Sequence, residues 1–293
     1  PDSRKTCRAL AGLEFLAVAE VFMTPTAALA DVVLPVATRL EHQDLAFYTQ
    51  PFGRVAARPK AVDPPTGCPS DLRLLAQLAD RLGFGSLFWK DEEEAINAVL
   101  APAGVTFDQL RQTLVLAGNR AYQQYRENGF RTPSGKFEIV SNRLAAWGLD
   151  PLPAPHLDLP EPDDDFPLLL TSAKSPYYFH SAHRQLERLR RREPEPLVAV
   201  HPDTAGALGL GEGDPARIST RWGSITQKVR HDPSLHPKVI VPSYGWWLPE
   251  KGPKGFFGWE EANLNLLTSA DGPFDPVVGS LSLRGLPCRM DPA

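Results

Sequence analysis

The sequence predicts a two-part fold, in which an incomplete α/β portion precedes a mainly-β domain built as a closed barrel. The chain has 293 residues, more than one ordinary core holds. Before residue 150, short apolar runs alternate with helical patterns, which is typical of a parallel sheet with helices. After residue 166, short strand patterns are separated by tight turns with one or two helices among them, which indicates a barrel.

The first strands and turn of the α/β portion are predicted from apolar runs. Residues 13–22 are nearly all apolar and predict a buried strand of a parallel sheet. Residues 26–30 follow Pro25 and predict one helical turn, and residues 31–35 predict a second short strand. The prolines and turn residues of 39–67 predict a long surface excursion.

Helices follow in the α/β portion. Ser70 is a good N-cap for a helix whose apolar residues recur at helical spacing to Leu82, and Gly83 ends it. Residues 91–100 predict a second helix with acidic residues at its amino end, and residues 106–114 predict a third. We expect a strand over 136–140 and a short helix ending at Trp147.

A proline-rich segment separates the two parts. Residues 150–167 hold six prolines and the acidic run 163–165, a density of proline that stiffens a chain but does not build a sheet interior. We therefore predict an α/β portion over 1–149, a linker over 150–166 and a barrel domain over 167–293.

The barrel strands are predicted from short apolar runs at 168–170, 197–200, 216–220, 225–230 and 239–241. Residues 222–224 predict a hairpin turn, and His201 with Pro202 begins a helix that ends at Gly209. The glycines at 209–213 follow a helix and enter a strand, the reverse of a phosphate-binding glycine loop. We interpret them as a helix stop and a tight turn.

Composition excludes several classes of protein. The formal net charge of −4 and the pI near 6.0 argue against a general nucleic-acid surface, and no apolar stretch approaches a membrane span. Three distant cysteines supply neither a structural zinc site, a cysteine-held cluster nor a disulfide scaffold. The start at Pro1 without Met or signal peptide suggests a fragment, so the sequence leaves localisation open.

The candidate binding residues begin directly after the strand at 168–170. In the loop 171–175, Thr171 and Ser172 are small hydroxyl residues that leave backbone N–H groups accessible, and Lys174 adds a positive charge. This combination suits phosphate or ribose oxygens, although a polar loop with a solvated lysine explains the same residues.

Two histidines follow in a crowded polar stretch, residues 177–184. Helical spacing would place His180 and His183 on one face, and the His, Tyr and Arg side chains here suit a flat heterocycle with anionic groups better than a metal. A helix start with an exposed basic face at 188–192 is the alternative. The sequence does not support a nucleophilic triad, because it has neither a Gly-x-Ser-x-Gly elbow nor a cysteine with a plausible partner histidine.

Two further segments lie near the end of the chain. Asn263 and Asn265 have amides that can form paired hydrogen bonds with the donor and acceptor edge of a ring. The alternative is that both are ordinary turn asparagines. The aromatic segment 243–247 is interpreted as a lid on the barrel.

The chain resembles a known family at these residues. Residues 168–184, 198–229, 239–247 and 263–289 are similar to the molybdopterin dinucleotide-binding domain of the dimethyl sulfoxide reductase family of molybdenum and tungsten enzymes. Residues 22–35 and 130–138 resemble the preceding α/β domain of that family, in the same order along the chain. Residues 39–44 and 175–181 resemble the branch that holds thiosulfate and polysulfide reductases and acetylene hydratase.

The resemblance implies a six-stranded double-psi-type barrel and two pyranopterin guanine dinucleotides around one molybdenum or tungsten. It places Thr171, Ser172, Lys174, His180, Ser181 and His183 along the phosphates and pterin of one dinucleotide. It also implies that Asn265 binds a pterin and that Glu20 and Thr24 lie near a guanosine. The segments that bear the iron–sulfur cluster and the protein ligand of the metal lie N-terminal in such enzymes, so we assign no catalytic or metal-binding residue here.

The implied activity is that of an oxidoreductase, inactive as this segment alone. Its expected partners are the missing N-terminal domains, an iron–sulfur electron-transfer subunit and a small-molecule substrate. A tungsten-dependent hydratase of the same fold and a non-catalytic cofactor-binding module are the alternatives.

Overall fold

The structure is a computed structural model that describes residues 1–46, 53–118, 122–152, 161–272, 274–281 and 283–293. It divides into two compact units. The first unit comprises residues 1–16, 24–29 and 142–293, and the second comprises 17–23 and 30–141. Residues 153–160 of the predicted linker lie outside the described residues.

The second unit contains two small sheets and four α-helices in its described part. Its strands are β1 (Ala17–Glu20), β2 (Val32–Pro35), β3 (Asp44–Ala46), β4 (Arg54–Arg58) and β5 (Val115–Ala117). Its helices are α2 (Asp71–Arg81), α3 (Glu92–Leu100), α4 (Phe107–Thr113) and α5 (Tyr125–Asn128). Strands β1 and β2 pair in parallel, which confirms the predicted α/β rhythm, whereas β3, β4 and β5 form an antiparallel sheet.

The predicted Ser70 cap is confirmed, and the two helices predicted to follow it also begin at side-chain caps. The Ser70 hydroxyl accepts a hydrogen bond from the Arg73 N–H, and the Asp91 carboxylate accepts one from the Glu94 N–H at 2.9 Å. Thr106 and Gln109 cap each other reciprocally at the start of α4. Helices α3 and α4 then bury an apolar cluster against β3 that consists of Leu45, Ile96, Leu100, Phe107 and Leu110.

Three predictions for the second unit were wrong. The strand within 13–22 is only β1, and its residues alternate between exposed and half-buried instead of being buried. The segment 39–67 contains β3 and β4 in place of a surface excursion without strands. Residues 136–140 form no strand, because Gly135 turns the chain at a φ of 68° and the Thr132 hydroxyl then bonds the Lys136 carbonyl.

The first unit is organised around a closed barrel of six strands, as predicted. The strands are β6 (Leu168–Leu170), β7 (Leu197–Val200), β8 (Pro215–Thr220), β9 (Gly223–His231), β10 (Val239–Pro242) and β11 (Leu286–Pro292), in the spatial order β10-β6-β11-β8-β9-β7. The pairs β6–β10 and β7–β9 are parallel and the other four are antiparallel. The sequence analysis did not identify β11, whose two prolines and charged residues hide the strand pattern.

Five short helices accompany the barrel in the described part of the first unit. They are α1 (Ser3–Ala11), α6 (Asn142–Ala146), α7 (Glu187–Arg190), α8 (Pro202–Ala207) and α9 (Trp259–Ala262). Helix α8 begins after His201 and is followed by Gly209 at a φ of 70°, which confirms the predicted helix stop. None of the helices in the described residues combines the length and apolar character that crossing a membrane requires.

Strand directions place most connections at one end of the barrel. Because β6 and β10 are parallel, both carboxyl ends lie there, and β7 begins there because it is antiparallel to β10. The β8–β9 hairpin projects from the same end. Strand β9 is parallel to β7, so its amino end lies where β7 begins, and the hairpin directly precedes that end. We call this the loop end, defined by residues 171–186, 221–222 and 243–268.

The barrel interior buries one of the three cysteines. Cys288 on β11 is fully buried, and burial raises the pKa of its thiol to about 12. Since the thiolate is the reactive form, Cys288 is scarcely ionised below that pH. We expect iodoacetamide at about pH 8 to leave Cys288 unlabelled in the folded chain, while the half-buried Cys7 and Cys68 react.

Mass spectrometry of tryptic peptides would read the labelling, and the chain unfolded in guanidinium provides the control in which all three cysteines react. Labelling of Cys288 at the rate of Cys68 would show that the barrel opens easily.

Candidate cofactor-binding site

Two segments of the loop end run side by side as they leave the barrel. Residues 171–186 follow β6 and residues 243–258 follow β10, and Ala173 pairs with Ser243 beyond the strand ends. The Trp247 indole N–H donates to the Ser181 carbonyl at 2.7 Å, and the Tyr244 hydroxyl lies 3.3 Å from Nδ1 of His180. The predicted lid and the predicted binding loop are therefore parts of one surface.

A buried arginine fixes these two segments together. The Arg184 side chain is 1% exposed, and its guanidinium donates to the carbonyls of His180, Tyr244 and Gly245 at 3.0–3.3 Å. It stacks on the rings of Tyr178 and Trp246 at 3.9 and 4.1 Å. Burial lowers the pKa of Arg184 to about 10, so the group stays charged at neutral pH.

The prediction that His180 and His183 lie on one face of a helix was wrong. Both residues adopt left-handed backbone conformations, with φ of 54° and 70°, in turns that precede α7. The His180 carbonyl accepts a hydrogen bond from the Arg184 guanidinium at 3.2 Å. Both imidazoles are exposed at the loop end.

A buried glutamine joins the loop end to the barrel. Gln227 on β9 is 2% exposed, and its amide donates to the carbonyls of Ser243 and Ala262 while it accepts from the Ser243 N–H. Thr220 at the end of β8 likewise donates to the Leu267 carbonyl at 2.8 Å. These two side chains position the segment 262–268, which carries the predicted asparagines.

The two predicted asparagines occupy different environments. The amide of Asn263 is used within the chain, since it accepts from the Ser3 hydroxyl and the Asn265 N–H and donates to the Trp246 carbonyl. The Asn265 side chain is exposed. Asn263 thus shapes the turn that presents Asn265.

The amino-terminal helix also reaches this site. Arg4 of α1 donates to the Trp222 carbonyl at 3.0 Å, at the tip of the β8–β9 hairpin. An added Cβ at Gly223 would lie 2.6 Å from both the Arg4 guanidinium and the Leu266 carbonyl, so only glycine fits between them. Sequence patterns did not identify Ser3, Arg4 or Gln227, because each acts on residues distant in the chain. They grouped Arg184 with the ligand-binding side chains, whereas the structure buries it against backbone carbonyls.

The structure brings eight predicted site residues to the loop end: Thr171, Ser172, Lys174, His180, Ser181, His183, Asn263 and Asn265. Of these, six have side chains without a hydrogen bond or ion pair inside the described part of the chain: Thr171, Ser172, Lys174, Ser181, His183 and Asn265. Their hydroxyl, ammonium, imidazole and amide groups are therefore available to a ligand.

The two remaining predicted residues lie elsewhere. The Thr24 hydroxyl accepts the Ala27 N–H in the first unit, and the Glu20 carboxylate accepts the Val21 N–H in the second unit. Among the residues that the structure describes, no three His, Cys, Asp or Glu side chains are grouped to hold a metal ion.

The first unit is thus a six-stranded barrel whose loop end carries polar side chains without a partner in the described part of the chain. Residues 168–287 match the family described as Molydopterin dinucleotide binding domain, and residues 1–81 match the family described as Molybdopterin oxidoreductase. The chain belongs to the molybdopterin oxidoreductase family.

Relatives of known name support this assignment. Acetylene hydratase of Syntrophotalea acetylenica is 31% identical over 97% of this chain and 41% of the relative. The F420-dependent formate dehydrogenase subunit alpha of Methanocaldococcus jannaschii is 29% identical over 92% of this chain and 38% of the relative. The solved acetylene hydratase from Pelobacter acetylenicus superposes with a TM-score of 0.90 and 28% identity, covering all of this chain and 42% of that one.

The chain therefore spans about two fifths of the length of these relatives. The family consists of enzymes that use a molybdopterin cofactor, and this chain carries the domain that binds the dinucleotide.

Proposed function

We propose that the loop end binds a pyranopterin guanine dinucleotide, and that the chain serves as the cofactor-binding part of an oxidoreductase. The supporting observation is the convergence of Lys174, His183 and Asn265 on one end of the barrel, with side chains that bond to no other described residue. A cation, an imidazole and an amide suit the phosphates and the ring edges of such a cofactor.

The charged and hydrogen-bonding side chains of the loop end match the chemical groups of this ligand. Lys174, Thr171 and Ser172 would hold phosphate oxygens, and His180, Ser181 and His183 would continue along the pterin. Asn265 would bond a pterin edge, with Asn263 holding its turn, and Glu20 and Thr24 are proposed to contact a guanosine. When bound, the cofactor supplies the redox or Lewis-acid chemistry of its metal, and this chain orients it and excludes water.

We further propose that two dinucleotides hold one molybdenum or tungsten in the whole protein, with its iron–sulfur cluster in other segments. One relative is named as an alpha subunit, which favours an electron-transfer partner subunit. We expect this chain alone to have no turnover.

Removal of the Lys174 charge tests the proposal. We expect the full 293-residue chain to bind GDP, which carries the guanosine and diphosphate of the cofactor, and expect Lys174→Ala to weaken binding roughly tenfold by loss of a charged phosphate contact. Isothermal titration calorimetry would measure both affinities.

Lys238→Ala is the matched control, because this exposed lysine directly precedes β10 and lies at the opposite end of the barrel. Its GDP affinity should equal that of the unmodified chain. Absence of GDP binding, or equal effects of the two substitutions, would contradict the proposed site.

A hydratase is the second candidate function. It is favoured by the similarity to acetylene hydratase in both sequence and structure. In the whole protein loaded with cofactor, hydration of an alkyne without any electron acceptor would identify a hydratase, whereas turnover that requires an artificial acceptor or donor would identify an oxidoreductase.

A further inference from the structure

The half-buried Tyr244 and the exposed His180 form a pair that no sequence pattern links. The Tyr244 oxygen lies 3.3 Å from Nδ1 of His180, and the two rings meet edge to face with centroids 5.8 Å apart. Sixty-four positions separate these residues in the chain, and they stand together at the loop end, where His180 shares its segment with Lys174.

The backbone beneath the pair is fixed by a single group. Arg184 donates through Nη2 to both the His180 carbonyl and the Tyr244 carbonyl, at 3.2 and 3.0 Å. Gly245 lies so close to the His180 carbonyl that an added Cβ would approach it to 2.8 Å. The two side chains therefore emerge from a backbone that is held rigidly, as a preorganised binding group requires.

The hydrogen bond between the pair leaves a defined pattern for a ligand. If the tyrosine donates to Nδ1, its oxygen keeps a free lone pair and Nε2 of the imidazole carries a proton. If Nδ1 donates to the tyrosine, the hydroxyl proton is free and Nε2 accepts. Either tautomer presents one donor beside one acceptor.

A phosphate offers acceptors only and uses half of this pattern, whereas a ring edge that carries a donor beside an acceptor uses all of it. The 2-amino-4-oxopyrimidine edge has its carbonyl oxygen beside a ring N–H, and it is common to pterin and guanine. We propose that Tyr244 and His180 together bind the 2-amino-4-oxopyrimidine edge of the cofactor, with Arg184 as the residue that positions them. This inference rests on the proposed function and adds Tyr244 to its binding residues.

Removal of one hydroxyl tests the inference. We expect Tyr244→Phe to weaken the binding of a probe that carries this edge about tenfold, since one hydrogen bond to the ligand is lost while the ring and its packing remain. Neopterin and GDP are the two probes, measured by calorimetry on the full chain. If Tyr244→Phe loses affinity for neopterin alone, the pair binds the pterin. If it loses affinity for GDP alone, the pair binds the guanine.

Coupling between the residues distinguishes a pair from two separate contacts. His180→Gly tolerates the left-handed backbone and removes the imidazole that contacts Tyr244. The double variant is expected to bind no more weakly than the weaker single variant. If the affinity losses of the two single variants add up in the double variant, Tyr244 and His180 act as separate contacts, and the inference that they bind as a pair is overturned.

Tyr177→Phe is the matched control, because its ring is 42% exposed in the same segment and its hydroxyl bonds to no described residue. Equal affinities of Tyr244→Phe and Tyr177→Phe for both probes would overturn the inference, provided that the unmodified chain binds. Failure of the unmodified chain to bind either probe would instead overturn the proposed function. Thermal unfolding of each variant confirms that the fold is retained.

Discussion

Arg184→Met is expected to lower the free energy of unfolding of the first unit by about 3 kcal/mol. Methionine fills similar space between Tyr178 and Trp246 but donates no hydrogen bond, so the three carbonyls of His180, Tyr244 and Gly245 lose their partner. Relief of the cost of burying a charge offsets part of this loss. Urea unfolding followed by tryptophan fluorescence would measure the change, because Trp246 lies against the substituted group.

Two further variants make this result specific. Arg188→Met removes an exposed arginine four residues away and should unfold at the urea concentration of the unmodified chain. Arg184→Lys keeps the charge but lacks the planar fork that serves three carbonyls on two segments, so we expect it to recover only part of the loss. Unfolding of Arg184→Met at an unchanged urea concentration would show that the guanidinium does not hold the two segments together.

Gly245→Ala is the second substitution with a large expected effect, about 2–4 kcal/mol of destabilisation together with a roughly tenfold loss of GDP or neopterin affinity. Gly245 has a φ of 70°, which alanine adopts only with strain. In addition, the new Cβ would lie 2.8–3.0 Å from backbone atoms of His180 and Ser181, so the binding segment must shift.

The chain offers a close control for this prediction. Gly209 has the same φ of 70°, yet nothing lies within 4 Å of an added Cβ there. Gly209→Ala should therefore show only the conformational strain, about 1 kcal/mol, and leave affinity unchanged. If the two variants lose equal stability and affinity, the close approach of the two segments has no energetic consequence. Denaturant unfolding and calorimetry on both variants give the comparison.

Local patterns predicted those parts of the fold that depend on neighbours in the chain. Ser70, Asp91 and Thr106 cap helices because a cap needs only a side chain and the N–H groups that follow it. The five strand patterns of the barrel were found for the same reason. Strand β11 was missed, since its partners β6 and β8 define it and its own residues do not.

The candidate site was predicted in its exposed and half-buried polar residues. Polar residues after a strand and paired asparagines are visible in sequence, and eight of them lie at the loop end. Arg184 and Gln227 are buried polar groups whose carbonyl partners lie up to 61 positions away, and no periodicity indicates such a contact. The left-handed backbone at His180 and His183 likewise departs from the helical conformation that their spacing in the sequence indicates.

The position of β11 constrains how the first unit is made during synthesis. This strand lies between β6 and β8 and comprises Leu286–Pro292, almost the last residues of the chain. A ribosome therefore releases the other five strands while both flanking strands still have unpaired backbone edges, which are prone to aggregation. The unit consequently closes only after β11 has emerged, and a chain cut before Leu286 would leave an open sheet that chaperones and proteases recognise.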